Sequence, residues 1–313
     1  MIQMHRRQFL PLLQAALLAA CSKSPQKIRL ALNWKPEPEF GGFYAAPFAN
    51  NGLDVEILPG GAGTPTVQMV GAGSAEFGLV EADELVVARP RGNDVVGLFA
   101  VFQDNPLALM VHASQKFTSI GDIFKKGATL AIQKGLPYVQ LLEKQYSFAN
   151  VKVVPSPGGD LSAFLRDPMF VQQVFVTSEF LTAKRQGADA QVFPVSLSGF
   201  NPYSGVVATS GDYLRKNPEI AKATVAAIRS GWRTYLDDPK PVNQRMNQLN
   251  PSMSLEGFAE SADAQKPLIE NGEVRRGGLG TMSRERWQTL IAQLKDLGDI
   301  QQTPAPEECF KIL

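Results

Sequence analysis

Histidine and cysteine are nearly missing from this 313-residue chain, which has two of each. His5 lies in the leader-like first twenty residues, so a Ser-His-Asp or Cys-His arrangement would rest on His112 alone. That residue ends the apolar run Leu107–His112 and reads as a satisfied core or hinge histidine. With no histidine cluster and no paired cysteines, a zinc site is not expected. Carboxylate-only binding of Ca²⁺ or Mg²⁺ stays open, although no EF-hand spacing is present. Charge of one sign is also lacking, with 31 Lys and Arg against 30 Asp and Glu, so no strong field draws nucleic acid. Nucleotide loops are absent too. Gly61-Ala62-Gly63-Thr64-Pro65-Thr66 fails the dinucleotide pattern at its third glycine, and no Gly-x-x-x-x-Gly-Lys-Ser/Thr run occurs. No cofactor is expected.

No apolar stretch reaches the roughly twenty residues that span a bilayer. Phe9 to Ala20 is apolar apart from Gln14, follows the basic His5-Arg6-Arg7 and ends in small residues, as a secretory signal does. Residues 1–20 are therefore read as a signal peptide. Leu18-Ala19-Ala20-Cys21 resembles a bacterial lipobox, which makes Cys21 the lipidated N-terminus and 21–26 a polar tether. Arg6-Arg7-Gln8-Phe9-Leu10 resembles a twin-arginine pattern, and a plain basic start is the alternative. Losing the leader leaves 29 basic against 30 acidic residues, a formal charge of −1. With Cys21 consumed, Cys309 has no partner for a disulfide.

From Ile28 onward, strands and helices alternate, which predicts an α/β fold with parallel sheets built from crossover units. The expected strands are 28–32, 55–58, 75–80 and 95–102 in one series, and 129–132, 151–154, 173–177 and 191–195 in a second. Helices are expected at 43–50, after Thr64 as cap with Pro65 in the first turn, at 81–89, 138–146 and 179–186. Gln103–Pro106 and Ser196–Ser204 read as two crossing segments. The expected organisation is lobe one at 27–105 plus 201–313 and lobe two at 106–200, around a hinged cleft. Ala221, Val225, Ile228, Trp232 and Tyr235 form the core-facing stripe of a long helix, and Ser283 caps another that ends at Gly298.

In open α/β sheets, ligands sit beyond the carboxyl ends of the strands. Leu30–Ala46 places Asn33, Trp34, Glu39, Phe40 and Tyr44 at such an end. Glu81 and Asp83 follow the third strand, Gln103 the fourth, and Ser178 and Glu179 the third strand of the second series. Gly63 and Thr64 offer backbone N–H groups at a helix start. Trp34, Phe40 and Tyr203 are the expected stacking walls, and Glu39, Glu81, Asp83 and Glu179 the acceptors. Such a set suits a flat heterocycle bearing amines or N–H groups. The alternatives stay open at this point: Trp34 and Phe40 as packing residues, the acidic groups as helix caps, and the glycine loop as a turn.

Leu32-Asn33-Trp34-Lys35-Pro36, Gly42-Phe43-Tyr44-Ala45-Ala46, Gly52-Leu53-Asp54-Val55 with Pro59-Gly60-Gly61, and Ala75-Glu76-Phe77-Gly78-Leu79 stand in this order behind the lipobox. Together they resemble ABC-transporter substrate-binding lipoproteins of the thiamine-pyrimidine-precursor family, whose relatives bind riboflavin, sulfonates, nitrate and taurine. The resemblance implies a two-lobed type II periplasmic-binding fold, a small-molecule ligand, a membrane permease and ATPase as partners, and capture without catalysis by an exported, lipid-anchored monomer. It also implies that Trp34, Phe40, Tyr44 and Glu39 surround a ring. This chain carries Glu37, Glu39 and Phe40 where the family commonly has Asn and His. Two other classes remain: an enzyme of the pyrimidine-synthesis or periplasmic-transferase kind, and a lipoprotein that senses a ligand without transporting it.

Overall fold

A computed structural model describes residues 27–313; the leader, Cys21 and the tether to residue 26 lie outside the described residues. The chain forms two five-stranded sheets. The first holds β1 (Lys27–Ala31), β2 (Asp54–Leu58), β3 (Phe77–Val80), β4 (Val95–Phe102) and β10 (Ser204–Ser210), in the order β2-β1-β3-β10-β4. The second holds β5 (Leu107–His112), β6 (Thr129–Ile132), β7 (Lys152–Pro155), β8 (Phe170–Phe175) and β9 (Ala190–Pro194), in the order β7-β6-β8-β5-β9.

The sheets are mixed, which corrects the all-parallel expectation. β1 runs parallel to β2 and β3, whereas β10 is antiparallel to β3 and β4, and β5 is antiparallel to β8 and β9. Parallel neighbours need a crossover, normally a helix. The chain passes between the sheets at 103–106 and 195–203 without an α-helix, and the strands those segments deliver, β5 and β10, run against their neighbours. The two segments are bonded side by side: Asn105 N–H donates to Asn201 Oδ1 at 2.9 Å, and Asn105 Nδ2 donates to the Pro202 carbonyl at 3.2 Å.

Helices α1 (Gly41–Ala45), α2 (Thr66–Gly71) and α3 (Ala82–Ala88) join the strands of the first sheet. Those of the second are α4 (Ile120–Ile123), α5 (Pro137–Tyr146), α6 (Ser162–Arg166) and α7 (Glu179–Arg185). After β10 come α8 (Gly211–Lys216), α9 (Pro218–Asp237), α10 (Lys240–Leu249), α11 (Leu255–Ile269), α12 (Gly272–Gly277), α13 (Arg284–Leu297) and α14 (Pro306–Cys309). Two elements differ most from expectation. The helix expected to run from Phe43 to Asn50 stops at Ala45, because Pro47 has no N–H and drives Ala46 into extended backbone, φ −65° and ψ 129°. β8 starts earlier than expected, since Phe170 and Val171 pair with Thr129 and Leu130, and it ends at Phe175, where Ser178 N–H turns back onto the Phe175 carbonyl.

The packing of α1 on α9 fixes the position of the chain that follows β1. A Cβ on Gly42 would lie 2.2 Å from the Trp232 ring, one on Gly41 2.2 Å from Tyr235, and one on Gly231 2.1 Å from the Gly42 carbonyl oxygen. These glycines serve close approach between helices. All five predicted stripe residues of α9 are buried, as the 3.6-residue period requires. α13 begins at the Ser283 cap and ends at Gly298, and its apolar face joins a core shared by residues of both sheets.

Candidate functional site

The loop after β1 is rigid for local and distant reasons. Trp34 carbonyl accepts from Gly60 N–H at 3.0 Å, and a Cβ on Gly60 would stand 2.1 Å from the Leu32 carbonyl oxygen, so only glycine permits this approach. Pro36 and Pro38 stiffen the chain on either side of Glu37, and Pro38–Phe40 forms a single 3-10 turn. Two buried amides from the C-terminal helices hold the outer side. Asn250 Nδ2 donates to the Pro36 carbonyl at 3.2 Å, and Gln265 Nε2 to the Pro38 carbonyl at 2.9 Å. Neither amide stood out in the sequence.

This loop brings Glu37 and Glu39 to the carboxyl end of β1, while Glu81 stands at the end of β3 and Glu179 just beyond β8 in the opposite lobe. All four residues are half-buried. Burial pushes Glu37 up to about 7, and Glu179 adds to the shift, while the Trp34 indole and the Asn250 amide work against it by hydrogen bonding, with Lys35 opposing through its charge. Burial raises Glu39 well above the carboxylate range, reinforced by Glu37, Glu81 and Glu179. Glu81 is pushed up to about 8 by burial, then by Glu84 and Asp83. Burial likewise raises Glu179, although its Oε2 accepts from Phe175 N–H at 2.9 Å. Of the four predicted acceptors, Glu81 and Glu179 thus lie within electrostatic reach of a third, Glu39, as does Glu37. Two prolines flanking Glu37 and Glu39 were the signal for that fourth group. Trp34 is half-buried beside them, packed against the core around Trp232, with Lys35 Nζ 5.7 Å from its ring centroid.

Other predicted members sit elsewhere. Asp83, pushed up to about 7 by burial, interacts with Glu84 and with Asp299 beyond α13. Phe40 and Tyr44 are buried in the core around Trp232, and Arg245 of α10 lies over the Tyr44 ring at 5.7 Å. Tyr203 is buried under Arg286, whose guanidinium is 3.9 Å from the ring centroid, and its hydroxyl accepts from Ser283 N–H at 2.9 Å. It is a hinge residue and not a stacking wall. Gln103 is fully buried, with Nε2 donating to the Ala100 and Thr281 carbonyls at 3.3 and 3.1 Å, so it braces the end of β4.

Thr64 does not cap α2. Its hydroxyl accepts from Gly61 N–H at 2.9 Å and its own N–H donates to the Gly61 carbonyl at 3.1 Å, which closes a turn and uses up the donor assigned to it. Thr64 also lines a depression between α2 and α3 with Gln68, Glu84, Arg91 and Asn93, apart from Trp34 and Glu39. Gly63 is exposed at φ +79° in the same turn. Asn33 and Ser178 are half-buried at their strand ends, next to Trp34 and Glu179.

The residual nucleophiles are occupied or remote. His112 Nε2 donates to the Phe164 carbonyl at 2.7 Å and its ring stacks on Phe164 at 4.2 Å. Cys309 is buried, and burial pushes its thiol up to about 12, where it is inert. Among the described residues, no group of three or more His, Cys, Asp or Glu is placed to hold a metal ion.

Comparison with known proteins agrees with this architecture. A formylaminopyrimidine-binding protein of Halalkalibacterium halodurans is 23% identical over 329 aligned positions, spanning 96% of this chain and 96% of that protein. The periplasmic aliphatic sulphonate binding protein SsuA of Escherichia coli superposes with a TM-score of 0.68 at 15% identity, over 91% of this chain and 92% of that one. The desulfurization enzyme DSZB superposes with a TM-score of 0.59 at 12% identity, over 90% and 96%. The fold is that of periplasmic binding proteins, and it carries both binding proteins and at least one enzyme. A family model described as NMT1/THI5 like matches residues 37–241, from Glu37 of the pinned loop into α10, and the chain belongs to that NMT1/THI5-like family.

Proposed function

We propose that this protein is the solute-binding component of an ABC importer, capturing a small amine-bearing heterocycle of the pyrimidine kind between its lobes and delivering it to a permease and its ATPase. The observation that carries this reading is the placement of Glu37, Glu39 and Glu81 at strand ends of one lobe and of Glu179 at a strand end of the other, with Glu39 in electrostatic reach of the other three, next to the partly buried Trp34. Carboxylates accept hydrogen bonds from ring amines, and a tryptophan face covers a flat ring. Contacts from both lobes to one ligand favour the closed state by their difference between open and closed forms. The leader and Cys21 support export and lipid anchoring of a monomer on the outer side of the membrane. Capture is favoured over catalysis because His112 is bonded inside lobe two and Cys309 is buried.

A thermal-shift screen of residues 22–313 against aminopyrimidines, flavins, purines, sulfonates, amino acids and nitrate tests the assignment, since a ligand of the native state raises the melting temperature. Selective stabilisation by an aminopyrimidine is expected. No shift with any compound, in folded ligand-free protein, refutes the reading. Trp34→Ala is expected to weaken binding about tenfold or more while lowering the melting temperature less than truncation of a fully buried core ring, because Trp34 is only partly buried against the core. Equal loss of both would make Trp34 a packing residue.

A further inference from the structure

The two crossing segments sit in a closed circuit of polar contacts with the C-terminal helices. Asp104 Oδ1 accepts from Asn201 Nδ2 at 3.2 Å and its Oδ2 accepts from Asn271 Nδ2 at 3.2 Å, so one carboxylate joins the second crossing segment to the residue before α12. Asn271 Oδ1 caps α12 by accepting from Glu273 N–H at 2.8 Å. Glu273 pairs with Arg286 at 3.4 Å and accepts from the Tyr203 hydroxyl at 3.3 Å. Arg286 closes the circuit by donating to the Asn201 carbonyl at 2.8 Å. These segments carry the chain between the lobes, so any rotation of one lobe on the other turns backbone beside this circuit.

The links are not held equally. Gln103 and Asp104 N–H both donate to the Leu268 carbonyl of α11 at 3.0 Å, and Arg286 stands on α13. Those helices have 15 and 14 residues, and each places several apolar side chains in the core. α12 has six residues, and Val274 is its one buried residue. It is strung between α11 and Gly280, whose carbonyl accepts from Ala100 N–H of β4 at 3.2 Å. A segment with so few buried contacts opens before its neighbours do.

We propose that α12 is a clasp on the hinge and that the Asp104–Asn271 contact is its catch. While the catch holds, both crossing segments keep the arrangement of this structure and the lobes keep their separation. When it lets go, α12 lifts as a unit and the segments are free to turn. The clasp therefore sets how readily the empty protein opens without touching a ligand, and its action is the same for any solute.

Polarity gives the catch a signature that bulk does not. Asn271→Asp keeps the size and the cap of α12, because aspartate caps a helix as well as asparagine does, but it sets a second carboxylate against Asp104 where a donor stood. Asp104→Asn leaves one side-chain oxygen to serve two amide donors. The two substitutions together restore both contacts with one reversed: the amide at 104 donates to the carboxylate at 271, while its oxygen still accepts from Asn201.

The test is single-molecule fluorescence transfer in ligand-free protein of residues 22–313, between dyes on Ala62→Cys and Lys134→Cys. These exposed positions follow β2 in lobe one and β6 in lobe two, and Cys309 is buried away from the dyes. Asn271→Asp is expected to raise the ratio of separated to parent-like lobes at least about tenfold, and Asp104→Asn to raise it less. The double exchange is expected to bring the ratio back to within about twofold of the parent. Unchanged separation in both single variants overturns the clasp. A lower melting temperature with unchanged separation does so too, since the contact is then a stabilising bond alone. Wider separation in the single variants that the exchange does not reverse removes the Asp104–Asn271 pair from the explanation and also overturns it. No ligand enters the experiment, so each of these results leaves the solute-binding reading to its own screen.

Discussion

Glu81 gives the sharpest quantitative test of the electrostatics. Its position at the start of α3 favours ionisation, because the helix dipole stabilises a carboxylate there by about 0.3–1 kcal/mol. Burial, then Glu84 and Asp83, outweigh this and raise its pKa from 4.5 to about 8. The folded protein therefore holds a proton at pH values where the unfolded chain has lost it. Stability attached to this group is fully present below about pH 4.5 and is lost as pH rises towards about 8. Each pKa unit is worth about 1.4 kcal/mol, so the full shift would correspond to about 5 kcal/mol. Glu81 is only half-buried, so water reaches and screens the group, which reduces the effect to roughly 1–2 kcal/mol. Glu81→Gln keeps the shape and removes the charge. At about 2–4 °C per kcal/mol, the melting temperature of the parent should fall by roughly 2–8 °C more than that of the variant between about pH 5.5 and 8.5. Circular dichroism melts of ligand-free protein at constant ionic strength measure this. Parallel pH profiles for parent and variant would refute the argument.

Arg185 of α7 pairs with Glu260 of α11, joining the second-sheet lobe to the C-terminal helices, and also donates to Thr182 Oγ1 at 2.9 Å. With side chains 24% and 39% exposed, the pair should be worth about 0.5–1 kcal/mol. Arg185→Ala should therefore weaken ligand binding about two- to fivefold, chiefly through faster dissociation in stopped-flow, and adding Glu260→Ala should cost little more. Gly60→Ala would press a Cβ against the Leu32 carbonyl oxygen at 2.1 Å, a backbone atom with no room to yield. It should lower stability by about 2 kcal/mol or more in urea titration and disturb Trp34 fluorescence, and a silent substitution would contradict the packing described. Gln265→Leu leaves the Pro38 carbonyl without its buried donor and should cost about 1–3 kcal/mol, with a larger proportional loss of ligand affinity than an equally destabilising change in the α13 core.

The strands were legible where an uninterrupted apolar run meets a polar break. β4 at Val95–Phe102 and β5 at Leu107–His112 stand where the sequence places them. Strand direction was not, because nothing local records that β5 and β10 come straight across from the other sheet. The acidic members of the candidate site could be picked out for a simple reason: a carboxylate just past a strand end has few uses beyond capping and binding. The aromatic members were not. Phe40, Tyr44 and Tyr203 also follow strands, but whether a ring turns to the cleft or the core depends on distant partners. For Tyr203 that partner is Arg286, and for Tyr44 it is Arg245. Glu37 was passed over in favour of Glu39, although the two prolines that hold one hold the other.

The C-terminal helices connect these observations. α10 and α11 supply the amides that fix the Glu37–Glu39 loop, and α11 also supplies Glu260 to the cross-lobe pair. α12 and α13 reach the hinge: Asn271 Nδ2 donates to Asp104 at 3.2 Å, and Arg286 covers Tyr203 while donating to the Asn201 carbonyl at 2.8 Å. One helical layer therefore touches the Glu37–Glu39 loop, the Arg185–Glu260 pair and both crossing segments. On the proposed binding reading, a ligand that holds Glu179 near Glu37 and Glu39 also holds α7 against α11, so binding energy gained at the carboxylates would act on the same helix that positions them. This makes cleft charge and lobe closure a single equilibrium, in which neutralising the carboxylates should close the empty protein as a ligand does. Small-angle scattering across about pH 5 to 9 without ligand reads it directly: the radius of gyration should grow as the carboxylates ionise and shrink again on saturation with ligand. A radius that stays constant across that range would separate charge from closure and break the link.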